Sequence, residues 1–473
     1  MPPRTAVVCY ALVAALGGLL FGFDTAVISG TTDALQRVFA LDEYGLGFAV
    51  TAALIGTIVG AFTAGPPAER LGRRRVLFVL ALFFGVGALG SAAATSLPGF
   101  VAFRFLGGLG VGAASVVAPL YIAEIAPAAL RGRLVALNQL NIVAGILVAF
   151  ASNLAIARAL PAETAWRWML GVQAAPALLF FALLFFIPES PRWMAKQGRT
   201  DEARRVLARV GAGGAAGADA ELANITASLA GTGSGAAVGE TAHARLFQRR
   251  YARPITLAVV IAVLNQVSGI NAVLYYAPRV FQQAGAGADA ALLQSVAVGG
   301  TNLVFTVLAL FVIDRFGRRP LLAAGGLGAA LSLGVTALGF ARSGAAGGGG
   351  AGLVLAGIVG FIACHAIGQG AVIWVYISEI FPNAVREKGQ ALGSFTHWVM
   401  AAVVSWVFPV VAQASGMYAF GFFALMMFLQ FLFALRVMPE TRGYSLEEVQ
   451  RALGMDAGDA AAAPAAGVPA RAH

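Results

Sequence analysis

Residues 69–74 of the chain read ERLGRR, and residues 314–319 read DRFGRR, 245 positions later. Two more motif pairs recur in the same order. YIAEIAP at 121–127 matches YISEIFP at 376–382, and PESPR at 188–192 matches PETR at 439–442, at offsets of 255 and 251. Three motifs repeated in one order at nearly one offset indicate that the second half of the chain repeats the first half.

The composition excludes a water-soluble protein. Of 473 residues, 59% are hydrophobic and 11% are charged, and the mean hydropathy is +0.80. Soluble domains carry about 25% charged residues. A surface that faces water needs more charged residues than this chain has. A soluble enzyme, a disordered chain and a disulfide scaffold are therefore excluded.

Twelve apolar runs have the length of a membrane-spanning helix, which takes about 20 residues. They predict spans at about 6–28, 46–66, 76–96, 99–121, 134–157, 166–187, 255–277, 291–313, 320–341, 352–378, 389–412 and 416–437. Six runs lie on each side of a long polar break. We therefore predict an all-α membrane protein with twelve transmembrane helices in two pseudo-symmetric six-helix bundles, an architecture typical of transporters.

The predicted organisation has four parts: an N-terminal bundle (1–187), a cytoplasmic linker with short amphipathic helices (188–253), a C-terminal bundle (254–450) and a disordered cytoplasmic tail (451–473). Within the linker, the arginine-rich stretch 200–210 is predicted to be helical. The Gly/Ala/Ser-rich stretch 211–239 has the composition of a flexible segment.

The basic residues predict the orientation. An even number of spans puts both chain ends on one side of the membrane, and that side carries 26 of the 32 Lys and Arg residues against 5 on the other, with Arg104 inside a span. An excess of Lys and Arg marks the cytoplasmic side, so both termini are predicted to be cytoplasmic. This placement accounts for the net charge of +10 without a nucleic-acid partner.

The motifs above resemble those of the sugar porter family of the major facilitator superfamily, close to its bacterial proton–sugar symporters. The resemblance covers roughly residues 6–450. It includes 65–74, Arg104 with Gly107 and Gly108, PESPR at 188–192 and PETRG at 439–443. FGFDTAVISG at 21–30 and QVSGINAVLYYA at 266–277 resemble the first and seventh spans of that family.

The resemblance implies a monosaccharide transporter that works by alternating access in a bacterial-type inner (plasma) membrane, driven by protons. The sequence lacks a catalytic cluster, which disfavours the further alternative of a membrane enzyme, and Cys364 with His365 has no other ligands nearby for a metal. No cofactor is expected beyond the proton as coupling ion. The expected partners are a hexose or pentose and the lipid bilayer, and the expected functional unit is a monomer. A facilitative uniporter of the same fold, and a sugar sensor that does not transport, stay open as alternatives.

Asp24 and Arg104 are ionisable residues placed well inside predicted spans 1 and 4. A charge at this depth costs at least about 2.5–3.5 kcal/mol, so a partner of opposite sign is expected. We predict an ion pair that opens when Asp24 is protonated, and these positions match the coupling Asp and its Arg partner in the family. A static structural pair, or an Asp24 near the outer water boundary, are the alternatives.

Sugar binding calls for side chains that donate and accept hydrogen bonds, together with an aromatic face. Asn271 and Tyr275 share a helix face, whereas Gln266 is rotated from Asn271 by about 140° on a straight helix. A helix break at Gly269 would bring all three inward. The positions that match the family's sugar contacts are Gln139, Gln266, Asn271, Tyr275, Asn302 and Trp374; helix–helix hydrogen bonding is the alternative for each amide.

Four positions depart from the family pattern: Asn265, Ala371, His397 and Gln173. The first three stand where members often carry Gln, Pro, and Gln or Asn, respectively. Gln173 stands where some proton-coupled relatives carry Glu. His397 is included among the predicted sugar contacts, with a packed, hydrogen-bonded histidine as the alternative. These departures leave the identity of the sugar open.

Repeated Arg and Glu residues fall at the predicted cytoplasmic ends of the spans. Arg–carboxylate pairs are geometrically specific, and partial exposure keeps each pair weak enough to break. This pattern favours a latch that closes the cytoplasmic side; the alternative is positive-inside topology with helix caps. The predicted latch residues are Arg73, Glu124, Arg131, Glu189, Arg318, Glu379 and Arg386.

Overall fold

The computed structural model describes residues 3–211, 214–233, 245–343, 350–382, 385–444, 446–453 and 455. Within these ranges, twelve helical segments are long and apolar enough to cross a membrane. Spans 1 to 12 are Thr5–Gly30, Glu43–Thr63, Arg73–Ala93, Leu97–Ile125, Leu130–Ala159, Ala162–Phe186, Arg249–Gln283, Ala288–Ile313, Arg318–Ser343, Gly350–Glu379, Arg386–Ala414 and Gly416–Arg436. The predicted twelve-helix fold is confirmed.

Three spans are interrupted near their middle. Span 6 divides into Ala162–Gly171 and Ala174–Leu183, span 7 into Ala252–Gln266 and Ile270–Gln283, and span 10 carries a π-helical turn at Ala366–Gly370. The predicted break at Gly269 is confirmed: its φ is +83°, a conformation that costs glycine little. A Cβ there would also lie 2.4 Å from the Phe423 ring. Interrupted helices of this kind place backbone and side chains at transporter binding sites.

Spans 2 and 4 approach closely through glycine. A Cβ at Gly108 or Gly112 would lie 2.0 Å from the carbonyl oxygen of Ala53 or Thr57 on span 2. The glycine run at 107–112 therefore allows close helix packing, as small residues do in membrane bundles. Its spacing is similar to that of nucleotide-binding loops, but it lies inside a helix and follows no strand.

The linker is more helical than its composition predicts. The predicted helix over 200–210 is confirmed as Thr200–Val210, but the expectation of a flexible segment is wrong for Gly214–Gly233, which forms a helix. Alanine has the highest helix propensity, Ala218 is buried, and Arg204 bonds Asp219 across the two linker helices. The remainder, 234–239, and nearly all of the predicted tail lie outside the described residues.

The two halves of the bundle are packed together at the face opposite the chain ends. The face that carries the start of span 1 and the end of span 12 is called the terminal face below. There, one apolar cluster belongs to the N-terminal half and its linker, and another to the C-terminal half. The largest cluster combines residues of both halves, among them Val27, Leu46, Val280 and Phe408. These residues lie towards the opposite face, so that is where the halves are packed together.

Candidate functional site

Asp24 and Arg104 form a two-bonded ion pair in the middle of the N-terminal half. Arg104 Nη1 donates to Asp24 Oδ1 at 2.7 Å and Nη2 donates to Oδ2 at 3.2 Å. Their exposed fractions are 4% and 3%, which removes the alternative of an Asp24 at the water boundary in this conformation. Removing one partner of such a buried pair would leave an uncompensated charge, which is strongly destabilising.

The neutral part of the site lies in the C-terminal half. Asn271 Nδ2 donates to Gln266 Oε1 at 2.7 Å, which the break at Gly269 allows. Gln266 Nε2 in turn lies 3.1 Å from both ring nitrogens of His397. The His397 ring packs against Trp374 and Trp398, with centroids 4.9 and 5.1 Å away. Amides and aromatic faces therefore converge at one place.

A cavity of about 690 Å³ connects this cluster to the N-terminal half. Gln139 on span 5 lines it opposite Trp374 and Trp398, and Phe21 on span 1 meets Trp398 at 5.7 Å. Its wall continues to Phe62 and Ala391, close to the ends of spans 2 and 11 at the terminal face. The cavity has the volume of a small-molecule site and reaches towards that face.

Tyr275 and Asn302 occupy different surroundings. Tyr275 is buried beside Thr25, close to Asp24 and Arg104, so it is the predicted sugar contact nearest the ion pair. Asn302 is buried on span 8, where its Oδ1 accepts from Thr306 Oγ1 at 3.5 Å. Among the described hydrogen bonds, none joins Asn302 to the other predicted sugar contacts.

At the face opposite the terminal face, Arg279 ties the two halves together. It lies on the second segment of span 7 and donates to Gln36 Oε1 at 2.7 Å and to Glu43 Oε1 at 2.6 Å. Only 14% and 12% of the Arg279 and Glu43 side chains are exposed. The exposed pair Arg158–Asp289 adds a second connection, with bonds of 2.7 and 2.8 Å.

Sequence reasoning missed Arg279 as a functional residue and counted it only towards the orientation. Its spacing was a usable signal. Asn271 and Tyr275 are four residues apart and share one side of the helix Ile270–Gln283. Arg279 follows four residues later in the same segment, beyond a kink at Tyr276.

At the terminal face, the predicted latch residues pair inside each half. Arg73 Nη2 donates to Glu124 Oε1 at 2.9 Å. In the other half, Arg318 binds both carboxylate oxygens of Glu379 at 2.9 and 3.2 Å. The described ion pairs of these residues therefore hold the ends of one bundle and do not join the two bundles in this conformation.

Glu189 and Glu440 cap the helices that follow the repeated glycines. Glu189 accepts from the backbone N–H of Arg74, and Glu440 from that of Arg318. The preceding Gly72 and Gly317 have φ of +96° and +85°, and a Cβ on either would lie within 2.8 Å of the carboxylate. This geometry explains why the repeated motifs contain both glycine and the distant acid.

The pKa values of the two caps are shifted in opposite directions. Burial raises the pKa of Glu189, although backbone N–H groups of Ser190 and Arg74 act in the other direction. Burial also acts to raise the pKa of Glu440. There, however, the hydrogen bonds from Arg442, Arg318, Arg319 and Thr441 outweigh it and lower the pKa.

Arg131 and Arg386 are not in ion pairs among the described contacts. Arg131 is exposed and lines a cavity of about 940 Å³ that also contains Glu124 and Glu387. Arg386 Nε donates to the Phe381 carbonyl at 3.4 Å, and its Nη2 is buried without a described partner. Glu124 Oε2 likewise has no described partner.

Fold and site together define a secondary transporter: two repeated six-helix bundles enclose a central cavity, lined by Gln139 and two tryptophans among apolar side chains, that is sealed at one face. The family model for "Sugar (and other) transporter" matches residues 10–453. The chain belongs to this family, the sugar porters of the major facilitator superfamily.

Curated relatives support the same assignment. The D-xylose-proton symporter of Escherichia coli strain K12 is 39% identical, over 93% of this chain and 94% of that protein. The arabinose-proton symporter of Bacillus subtilis strain 168 is 35% identical, over 94% of both chains. The xylose transporter XylE from E. coli, in a partially occluded inward open conformation, superposes with a TM-score of 0.81 at 36% identity. That match covers 93% of this chain and 100% of the other.

Proposed function

We propose that this protein imports a monosaccharide together with a proton by alternating access. The observation that carries the proposal is the placement of the buried Asp24–Arg104 pair beside Tyr275, which lies on the same helix as the sugar-site residue Asn271. A protonatable group and a polyol site are thus connected through one helix.

The conformation corresponds to the state that follows proton release. Asp24 accepts two bonds from Arg104, the two-bonded geometry of a carboxylate paired with a guanidinium. The cavity reaches towards the terminal face, which we assign to the cytoplasm because it carries the excess of Lys and Arg. In the outward-facing state, protonation of Asp24 would weaken the pair and free the neighbouring groups to rearrange around the sugar.

The helix Ile270–Gln283 is the element that couples sugar, proton and gate. Asn271 binds Gln266 in the sugar site, and Tyr275 lies near Asp24. Arg279 binds Gln36 of the N-terminal half. Because these residues share one helix, a sugar that moves Asn271 and Tyr275 also changes the strength of the Arg279 contacts.

The sugar site is assigned to Gln139, Gln266, Asn271, Tyr275, Trp374 and His397, with Asn302 as an outlying member. The xylose and arabinose symporters among the relatives place pentoses first in a substrate panel. One proton moving through about 100 mV supplies about 2.3 kcal/mol, which supports about 40-fold accumulation of sugar.

The terminal-face residues act as a latch in the outward-facing state. We assign the crossing contacts to Arg131 and Arg386, since both begin spans at this face and neither has a described acidic partner here. Glu124 Oε2 of the N-terminal half, which lacks a described partner, is a candidate acceptor for Arg386 of the C-terminal half. The protein is further proposed to act as a monomer in the plasma membrane, without an enzyme activity or a metal.

Sugar uptake into proteoliposomes with an acidic exterior tests the proposal. The wild type should accumulate at least one sugar of the panel above its external concentration. Asp24→Asn should equilibrate that sugar without accumulating it, whereas Asp33→Asn, an exposed aspartate on the next helix, should behave as wild type. Equilibration without accumulation by the wild type would identify a uniporter, and accumulation by Asp24→Asn would place the coupling group elsewhere.

A further inference from the structure

A chain of five side-chain amides leads from the site to span 12. Asn271 donates to Gln266, and Gln266 Nε2 donates to Asn265 Oδ1 at 2.8 Å. Asn265 Nδ2 then donates to Gln369 Oε1 at 3.0 Å. Gln369 Nε2 completes the chain by donating to Gln430 Oε1 at 2.6 Å. We call these five residues the amide relay; Asn265, Gln266, Gln369 and Gln430 have exposed fractions of 4% or less.

All four hydrogen bonds of the amide relay run in the same direction. An amide oxygen can only accept and an amide nitrogen can only donate, so the orientation of one member fixes the orientation of the next. Gln369 lies on the π-helical turn of span 10 and is held by a second bond to Met427 Sδ. The far end of the relay is therefore anchored to span 12, away from the sugar.

The direction of the relay constrains the His397 ring, which packs against the cavity-lining Trp374 and Trp398. Gln266 Nε2 can only donate, so at least one of the two ring nitrogens 3.1 Å away must be bare. A doubly protonated ring would turn an N–H towards this donor. The ring is therefore neutral, with one bare nitrogen for Gln266 and one N–H that remains a donor.

The same direction determines what Asn271 presents. Its nitrogen donates to Gln266, and its side chain is half-buried. No described residue donates to its Oδ1, so this oxygen remains available as an acceptor.

We propose that Gln369 and Gln430 are positioning residues that set the hydrogen-bond polarity of the sugar site. Through the amide relay they make Asn271 an acceptor and His397 a donor. The substrate is then a polyol with one hydroxyl that donates to Asn271 Oδ1 and another that accepts from His397. This inference rests on the proposed sugar-transport function and adds the residues that define its specificity.

Fluorinated sugars measure this polarity directly, because fluorine in place of a hydroxyl cannot donate a hydrogen bond. Each hydroxyl of the transported sugar is replaced in turn by fluorine, and inhibition of labelled-sugar uptake gives the affinity ratio. For the wild type, one position should show a loss of about 10-fold, the equivalent of about one hydrogen bond.

Gln430→Met removes the acceptor at the end of the relay with little change in volume. Gln369 Nε2 then keeps only Met427 Sδ as a described acceptor, and a thioether accepts weakly. The Asn271 amide can therefore reverse, and the ratio at the sensitive position should fall to about 2-fold or less. Gln430→Glu retains an oxygen that accepts from Gln369 and should keep the wild-type ratio. Gln369→Leu interrupts the relay one link earlier and provides a second variant, which should match Gln430→Met.

A purely structural role would lower the affinity for the sugar and its fluorinated analogue equally. An unchanged ratio in both Gln430→Met and Gln369→Leu, with wild-type uptake intact, would overturn the relay alone. Absence of sugar uptake by the wild type would instead overturn the proposed function on which the relay's substrate depends.

Discussion

The centres of the two halves use opposite kinds of chemistry. The N-terminal half holds two full charges, Asp24 and Arg104, 2.7 Å apart, whereas the C-terminal half holds neutral amides around His397. A charged pair responds strongly to one proton, and neutral groups can match hydroxyls without a large desolvation cost. Under the proposed function the duplicated bundles divide the work: the proton belongs to one half, and the predicted sugar contacts other than Gln139 belong to the other half.

The division is incomplete at one helix. Ile270–Gln283 belongs to the C-terminal half, but Tyr275 lies beside Thr25 and Arg279 bonds Glu43. Under the proposed function, proton and sugar transport can therefore be coupled if this one helix responds to both the Asp24–Arg104 pair and the sugar site. Variants that separate proton coupling, sugar binding and gating test the comparison.

Gln266→Leu should produce the largest separation. The change leaves the donor of Asn271 and the acceptor of Asn265 unpaired, so sugar affinity should fall about 10- to 100-fold. At saturating sugar, the accumulation ratio should stay at the wild-type value because the Asp24–Arg104 pair is intact. Uptake kinetics and steady-state accumulation in proteoliposomes measure the two effects separately.

Asn141→Leu is the matched control, since the Asn141 amide donates to the Leu137 carbonyl of its own helix. It should change affinity less than Gln266→Leu. A fall in the accumulation ratio of Gln266→Leu at saturating sugar would show that the two halves do not divide the work as proposed.

Much of the fold could be predicted from the sequence because the lipid environment leaves few alternatives. Long apolar runs must be helices in lipid, and the repeated motifs mark corresponding positions in the two halves. The Asp24–Arg104 pair was predictable for the same reason, because two opposite charges inside apolar spans are costly unless they pair with each other. Gly269 was predictable because three polar residues at unfavourable spacing require a break.

The contacts that depend on helix rotation could not be predicted. An arginine near a span end, such as Arg279, is equally compatible with water, and only the packing of the halves shows its partner Glu43. Likewise, the link from Asn265 to Gln369 joins residues 104 positions apart. The closed opposite face is a property of one conformation, whereas the sequence encodes every conformation in the cycle.

Arg279→Gln should weaken the closure of the face opposite the terminal face. The change removes the largely buried positive charge that pairs with Glu43. The equilibrium between the inward-open and outward-open conformations should therefore shift towards outward-open by about tenfold. A cysteine at Ala402, which is buried there beside Thr51, reports the opening by its rate of thiol labelling. Cys9 and Cys364 are first replaced by serine.

Arg158→Gln provides a close control, because Arg158 also joins the halves but its pair with Asp289 is exposed. Exposed pairs contribute about 0–1 kcal/mol, so labelling should change only slightly. The exchanged pair Glu43→Arg with Arg279→Glu should restore slow labelling. Equal labelling rates in Arg279→Gln and Arg158→Gln would contradict a gating role for Arg279.

The caps Glu189 and Glu440 extend the comparison to the terminal face with the smallest expected effect. Glu440 has a lowered pKa, so its charge stabilises the fold at neutral pH. Glu440→Gln should therefore lower the thermal midpoint by about 2–4 °C. Glu189 has a raised pKa, so its charge is a net cost at neutral pH, and Glu189→Gln should leave the midpoint unchanged or slightly higher.

Thermal unfolding of the purified protein between about pH 4 and pH 8 distinguishes the two caps by linkage. As the pH falls, folded Glu189 takes up its proton first, so wild type and Glu189→Gln should begin to converge above the ordinary glutamate value of 4.5 and coincide once the pH has fallen below it. The difference for Glu440→Gln should persist until the pH falls below 4.5, where Glu440 itself is protonated. Glu163→Gln, an exposed change at the start of span 6, should follow the wild type throughout. If the two cap variants converged with the wild type at the same pH, the repeated motifs would be equivalent in charge as well as in geometry, and the asymmetry of the halves would be confined to their centres.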